Sequence, residues 1–198
     1  MENTYKEIIK KCFSNSPQSQ YLNFLKNLQK NYFNLKNEFL IRNFLLEFLN
    51  DRLPKGQKAF AEYPKYGNNR RTDLSIFDKR RLKDPVCIEL KYQFPHDFFN
   101  EAVKDKIRQD MDGIKGKEGK EGKKGADIFI LIVAEWDAAE DPLKEWGFEK
   151  TLSIYQNVPK DSDWGKEVRV LLAKKYTSIE YRAVIADKVK YHHWLLGV

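Results

Sequence analysis

The sequence contains few cysteines and histidines, the residues that form disulfide frameworks and structural zinc sites. Its 198 residues include two cysteines and three histidines. Cys12 and Cys87 lie far apart, with neither CxxC spacing nor a nearby histidine, so the spacing indicates neither a disulfide framework nor a structural zinc site. His96, His192 and His193 also lack metal-ligand spacing. A reducing compartment, the cytoplasm, fits this cysteine usage best.

Long apolar runs are scarce as well. The longest, IFILIVA at 128–134, is much too short to span a bilayer, and the start, MENTYKEIIKKC, has no apolar stretch typical of a signal peptide. We therefore expect neither a membrane span nor secretion. The formal net charge is +7, which favours a polyanionic partner such as nucleic acid, although a solvated lysine-rich surface would also account for it.

The length and the hydrophobic periodicity predict a single α/β domain over 1–198. Apolar residues recur at helical spacing from Pro17 to Asn50, which predicts two helices with a break at 31–34. The chain before residue 34 is thus expected to be a helical extension. The later elements are a helix from Pro95 to Ile114 and strands at 58–65, 71–78, 85–94, 126–135, 167–176 and 181–189.

Two segments of this pattern are unusual. ADIFILIVAE at 126–135 is apolar almost throughout, which is typical of a central strand covered on both faces. KGKEGKEGKKG at 115–125 is a low-complexity loop, either a flexible basic arm along a nucleic-acid backbone or an unstructured insertion. The strands from 150 to 198 form a C-terminal addition to a core at 34–135.

Chemistry concentrates in two neighbouring strands, RTDLSIFD and PVCIELKYQF. Alternation gives each strand an apolar face and a polar face, and a hairpin centred near Arg81 puts Asp73 opposite Glu89, with Lys91 two residues beyond. Directly opposed carboxylates repel each other, so a divalent cation between them is the simplest way to keep both ionised. Oxygen ligands of this kind select Mg²⁺, with Mn²⁺ as a substitute.

Such a site has a clear chemical use. Mg²⁺ takes its remaining oxygens from water and from a phosphate, and a water polarised by the metal becomes a nucleophile. Lys91 is placed to orient that water, to lower its pKa or to offset the charge that develops on the phosphate oxygens. Residues 71–91 therefore predict phosphodiester hydrolysis.

Asp73 followed by Glu89-Leu90-Lys91 on the next strand resembles the PD-(D/E)XK nuclease superfamily. The resemblance implies a restriction-endonuclease-like fold: a mixed central sheet flanked by helices, in the order α-β-β-β-α-β, with a Mg²⁺ site that cleaves DNA or, less often, RNA. Thr72 stands where many members have proline, which is not a metal ligand. The resemblance covers about half of the chain and leaves open a homodimer, because many double-strand cutters pair two copies.

The same resemblance suggests supporting residues. Many members have a helix glutamate that reaches the metal, and Glu38 is the candidate here, although the helix dipole alone also favours a first-turn glutamate. Glu62 could point into the same cleft or face solvent. Gln109 and Asp110 could approach the lysine or belong to a solvated helix face.

Arg70 and Arg71 precede Asp73 closely and are the candidates for binding a phosphate of the nucleic acid. Taken together, these residues predict a Mg²⁺-dependent nuclease that acts on DNA. Two alternatives remain open from the sequence: a non-catalytic nucleic-acid-binding module and a protein-interaction subunit whose basic surface meets an acidic partner.

Overall fold

The computed structural model describes residues 2–14, 16, 18–32, 35–64, 71–112, 126–136, 158–159, 161–173 and 179–197. Its α-helices are α1 (Glu2–Cys12), α2 (Gln20–Tyr32), α3 (Glu38–Asn50), α4 (Glu101–Asp112) and α5 (Trp164–Ala173). Its strands are β1 (Gln57–Pro64), β2 (Arg71–Asp78), β3 (Val86–Gln93), β4 (Ile128–Trp136), β5 (Ile179–Ala186) and β6 (Val189–Gly197). A short 3₁₀ helix, Pro95–Phe99, follows β3.

The strands form one mixed sheet in the order β1-β2-β3-β4-β6-β5. Only β3 and β4 are parallel, and the other neighbours are antiparallel. The predicted α/β class is therefore confirmed. Within the described ranges, no helix is long and apolar enough to cross a membrane.

Strand alternation divides the core into two layers. Apolar side chains on one face of the sheet, such as Leu74 and Ile88, pack with α1, α2 and α3. On the other face, Phe129 and Leu131 of β4 pack with α4 and α5. Because β4 contributes to both layers, its residues from Ile128 to Ala134 are buried, as the unbroken apolar run predicts.

Most of the predicted elements are present, with small shifts at their ends. The predicted break near 31–34 falls between α2 and α3, and the strands predicted at 58–65, 71–78 and 85–94 are β1, β2 and β3. The predicted helix from Pro95 is divided into the 3₁₀ helix and α4. The predicted loop at 115–125 lies outside the described residues.

The prediction of a strand at 167–176 is wrong, because Trp164–Ala173 forms α5. The apolar residues of the sequence EVRVLLA fit both the two-residue period of a strand and the 3.6-residue period of a helix. Burial of Val168, Leu171 and Leu172 follows the helical one, and the backbone N–H of Lys166 donates to Asp163 Oδ1 at 2.9 Å, as in a helix N-cap.

The C-terminal addition thus consists of one helix and two strands. The predicted strand at 181–189 corresponds to β5, and β6, which pairs with the full length of β4, was not predicted. Its sequence, VKYHHWLLG, carries two histidines and a lysine that interrupt the apolar pattern.

The double-sided burial of β4 generates a stability prediction. Ile130 in β4 is fully buried, so Ile130→Ala should lower the free energy of unfolding by about 2–5 kcal/mol. Ile185→Ala on β5 is the matched control, because Ile185 is exposed, and we expect it to change stability by at most about 0.5 kcal/mol. Denaturant titration of both variants checks this, and equal losses would contradict the described core.

Candidate active site

The site begins where β2 and β3 separate. Their antiparallel ladder covers only three pairs, from Ile76 with Val86 to Leu74 with Ile88. One further step in the same register puts Asp73 opposite Glu89, the arrangement predicted from the sequence. The strands do not continue the ladder there, and Asp73 Oδ2 instead accepts a hydrogen bond of 2.7 Å from the backbone N–H of Leu90.

A second carboxylate enters the same gap from α3. Glu38 is the first residue of α3, and its Oε2 accepts a hydrogen bond of 3.1 Å from the backbone N–H of Tyr92. A carboxylate in the first turn of a helix is also favoured by the helix dipole. Two backbone amides of β3 are thus satisfied by carboxylate side chains, where a continuous sheet would use the carbonyls of a neighbouring strand.

Lys91 lies among these carboxylates. Its Nζ is 3.7 Å from Glu38 Oε1, 3.7 Å from Glu89 Oε1 and 3.5 Å from Asp110 Oδ2. Only 15% of the lysine side chain is exposed. The ammonium therefore lies between three carboxylates contributed by α3, β3 and α4, at separations longer than a short charge-assisted hydrogen bond.

Burial and charge act against each other in this cluster. Burial raises the pKa of Asp73, although the hydrogen bond from Leu90 opposes that rise, and burial likewise raises the pKa of Glu38. Burial by itself lowers the pKa of Lys91, but the surrounding carboxylates outweigh it and the pKa of Lys91 is raised. The carboxylates thus hold the lysine in its charged form, and the charge of Lys91 in turn opposes the rise in the pKa of Asp73 and Glu38.

Asp73 also lies beside an irregularity in β1. Tyr63 pairs with Thr72 and Ala61 pairs with Leu74, but Glu62, between them, does not pair with Asp73. Glu62 has a φ of 51°, a left-handed backbone that is unfavourable for a residue other than glycine. Both neighbouring ladders are therefore interrupted at Asp73, and local strain of this kind clusters at functional sites.

Two ion pairs orient the side chain of Glu62. Arg42 Nη1 lies 2.7 Å from Glu62 Oε1, and Arg71 Nη1 lies 3.2 Å from Glu62 Oε2. Glu62 lines the cleft and its side chain is also exposed to solvent, so both of its sequence interpretations hold, and its charge is balanced by arginines. Arg71 is exposed at the start of β2, whereas Arg70 lies outside the described residues.

Glu38, Asp73 and Lys91 open onto a cleft of about 660 Å³ between α3, α4 and the ends of β1, β2 and β3. Three further cations line it: Lys36, Arg42 and Lys106. Lys36 donates to Gln93 Oε1 at 2.7 Å and lies 2.9 Å from Asp97 Oδ2, and Lys106 is exposed. The cleft therefore combines an acidic floor with a basic wall.

The acidic floor has the donor chemistry that a hard divalent cation requires. Four carboxylates, those of Glu38, Asp73, Glu89 and Asp110, act on the single ammonium of Lys91. Four negative charges and one positive charge leave three negative charges when all five groups are ionised. A divalent cation would relieve this excess, and oxygen donors suit Mg²⁺ or Mn²⁺.

The number of ligands is also compatible with Mg²⁺. Among the described residues, no group of three or more His, Cys, Asp or Glu side chains is arranged to hold a metal ion by itself. Mg²⁺ commonly uses only one or two carboxylates and completes its shell with water and phosphate oxygens. The pair Asp73 and Glu89 meets that smaller requirement.

Gln109 and Asp110, the two candidate polar residues on α4, differ in burial. Gln109 is exposed, whereas Asp110 is buried beside Lys91 and is part of the site. The solvated-face interpretation therefore fails for Asp110. The signal available in the sequence is its position three residues after Ile107 and next to Met111, both of which are buried.

The paired histidines are away from this cluster. They lie on β6, which is separated from β3 by β4. His193 is buried with its Nε2 at 2.8 Å from the Tyr21 hydroxyl, and His192 Nε2 is 2.8 Å from Glu135 Oε2. Their contacts are those of packed polar side chains.

Comparison of the chain with protein-family models, curated proteins and solved structures found no significant match. The geometry of the cleft and the chemistry of its side chains are thus the observations on which a functional proposal rests.

The raised pKa of Asp73 generates a pH prediction for the metal-free protein. A carboxyl group whose pKa is higher in the folded state destabilises the fold when it ionises, and this cost grows as the pH rises from the ordinary pKa to the raised one. Asp73→Asn should therefore raise the free energy of unfolding at pH 7 by about 0.5–2 kcal/mol in EDTA. The gain should disappear at a pH below the ordinary pKa of aspartate.

Denaturant titrations at several pH values check this, with Asp187→Asn as the control. Asp187 is an exposed aspartate in the turn between β5 and β6, and its φ of 50° suits asparagine. A destabilised Asp73→Asn variant at pH 7 would contradict the described balance of burial and charge.

Proposed function

We propose that the protein is a Mg²⁺-dependent nuclease of the PD-(D/E)XK type that hydrolyses phosphodiester bonds in DNA. The observation that carries this proposal is the position of Asp73, Glu89 and Lys91 at the opening between β2 and β3, with Asp73 and Lys91 lining a cleft that has a basic wall. Carboxylates that bind a metal, together with an amine beside them, are the groups that this hydrolysis needs.

The order of the elements supports the same proposal. From α3 to β4 the chain runs α-β-β-β-α-β, with the aspartate on the second of these strands and Glu-x-Lys on the third. This is the order of a restriction-endonuclease-like core, with α1 and α2 added before it and α5, β5 and β6 added after it.

Asp73 and Glu89 are the residues that would hold Mg²⁺, and Glu38 is positioned to act as an accessory carboxylate. When bound, the ion would supply a polarised water and neutralise charge on the phosphate. The hydrogen bond from Leu90 to Asp73 leaves the orientation of that carboxylate fixed before any ligand binds. Preorganisation of this kind avoids the cost of rearranging the ligands during the reaction.

Lys91 has the role of the cationic group beside the phosphate. Its ammonium has three donors, and Glu38, Glu89 and Asp110 hold it at the floor of the cleft. From there it would donate to a phosphate oxygen or to the attacking water. Asp110 does not need to touch the substrate for this, and we assign it as a positioning residue for Lys91.

The basic wall would bind the nucleic-acid backbone. Lys36, Arg42 and Lys106 line the cleft, and Arg71 is exposed and paired with Glu62, which also lines it. Contacts from such cations to phosphates give affinity without reading the base sequence, and they weaken as salt increases. Arg70 remains a candidate for the same role.

Removal of the amine generates the main activity prediction. Lys91→Ala should lower the rate of metal-dependent cleavage by roughly 10²–10³-fold, the usual cost of removing one electrostatic stabiliser of a transition state. Lys26→Ala is the control, because Lys26 is a half-exposed surface lysine on α2, and it should cut like the native protein.

Cleavage of plasmid, linear duplex and single-stranded DNA and of RNA, with Mg²⁺, Mn²⁺ or EDTA, checks this. Equal activity in Lys91→Ala and native protein would show that the site is wrong. A native protein that binds DNA without cutting any substrate would favour the non-catalytic binding module.

Metal binding can be tested without any substrate. Mg²⁺ or Mn²⁺ should raise the melting temperature of the native protein, because a ligand that binds only the folded state stabilises it. The shift should be lost in Asp73→Asn and in Glu89→Gln and kept in Glu101→Gln, a change of an exposed glutamate on α4. A shift that persists in both site variants would place the metal elsewhere.

A further inference from the structure

An aromatic ring lies at the entrance to the candidate active site. Phe39 is in the first turn of α3 and lines the cleft, yet 58% of its surface is exposed. Ile41 and Leu45 in the same helix are fully buried. Single exposed apolar residues are common on protein surfaces, so the neighbours of Phe39 decide whether the ring has a function.

The first of these neighbours is Arg42, three residues later on the same side of the helix. Its guanidinium carbon lies 4.8 Å from the centroid of the Phe39 ring. Arg42 itself is only 7% exposed, and its hydrogen bond to Glu62 fixes its position. One side of the ring is therefore supported by an immobilised cation, and the exposed part of the ring is open to a second flat group, which would stack on it at little cost in conformational entropy.

The second neighbour of Phe39 is the proposed reaction centre around Lys91. Phe39 directly follows Glu38, whose Oε1 is 3.7 Å from Lys91 Nζ. Lys36 and Lys106 line the same cleft and are suited to phosphate groups. A phosphate held at Lys91 would thus bring its own base, or the adjacent base, to the ring.

We infer that Phe39 and Arg42 form a stacking platform for one unpaired nucleobase beside the scissile phosphate. This inference rests on the proposed nuclease function and adds the substrate class: a strand with at least one unpaired nucleotide at the cleavage position, as in a single strand or an overhang. A base inside a duplex has both faces covered by its neighbours, so it stacks on a side chain only after it leaves the duplex.

The size of the cleft fits the proposed substrate class, a strand with an unpaired nucleotide. About 660 Å³ is in the range of sites that enclose one small ligand, roughly 300–1,000 Å³. A stacked base and its phosphate are ligands of that scale, and aromatic rings accept every base because each has a flat face. The platform therefore selects unpaired nucleotides without selecting a particular base sequence.

Binding can be measured in EDTA, where no metal-dependent cleavage occurs. The probe is a short single-stranded DNA with 2-aminopurine, whose fluorescence falls when it stacks, and the reference is the same strand in a duplex. Phe39→Ala and Phe39→Leu should bind the single strand roughly 5- to 150-fold more weakly, the range given by the loss of one base–aromatic stack. Phe39→Trp should keep both the affinity and the quenching.

Duplex affinity should change little in all three variants. Because Phe39 is exposed, we expect all three variants to fold, and melting temperatures equal to that of the native protein provide the control.

The outcomes separate this inference from the nuclease proposal. Single-strand affinity that is unchanged in Phe39→Ala, or restored by Phe39→Leu, overturns the stacking platform and leaves the nuclease proposal intact. An equal loss of duplex affinity overturns the preference for unpaired bases. If the native protein binds neither probe at low salt in EDTA, the stacking platform is overturned, and the cleavage assay with Mg²⁺ decides the nuclease proposal separately.

Discussion

The opening between β2 and β3 depends on two hydrogen bonds from backbone amides to carboxylates. The amides of Leu90 and Tyr92 donate to Asp73 and Glu38, beyond the last pair of the β2–β3 ladder. A buried amide without a partner is costly, so the carboxylates that maintain this opening are also structural. The same bonds aim both carboxylates toward Lys91. Stability and the proposed chemistry therefore rely on one set of contacts.

Charge in the metal-free protein is unbalanced at this opening. Burial disfavours the ionised forms of Asp73 and Glu38, while several carboxylates surround the single ammonium of Lys91. A site of this kind holds its groups ready for a cation and a phosphate, and the fold is less stable without them. The left-handed backbone of Glu62 adds local strain at the neighbouring position. The buried sheet and the two helical layers provide the stability that offsets these costs.

Local patterns in the sequence carry much of this arrangement. Alternation in two strands predicts their polar faces, and a hairpin centred near Arg81 predicts their register, whose last observed pair, Leu74 with Ile88, is one step from Asp73 and Glu89. The segment 167–176 fits a helix or a strand equally well, so only its packing against the sheet decides. Asp110 reaches Lys91 through the docking of α4 on the sheet, a contact between distant segments that spacing along the chain does not encode. The two arginines that pair with Glu62 also come from other elements, α3 and β2.

The most direct test of the account is the position of a bound metal. A crystal of the native protein with Mn²⁺ and a short oligonucleotide that resists hydrolysis would give an anomalous diffraction peak for the metal. The account predicts one peak between the carboxylates of Asp73 and Glu89, with a phosphate oxygen beside it and Lys91 next to that phosphate. A peak at another place, or a bound oligonucleotide with no metal at this opening, would contradict it.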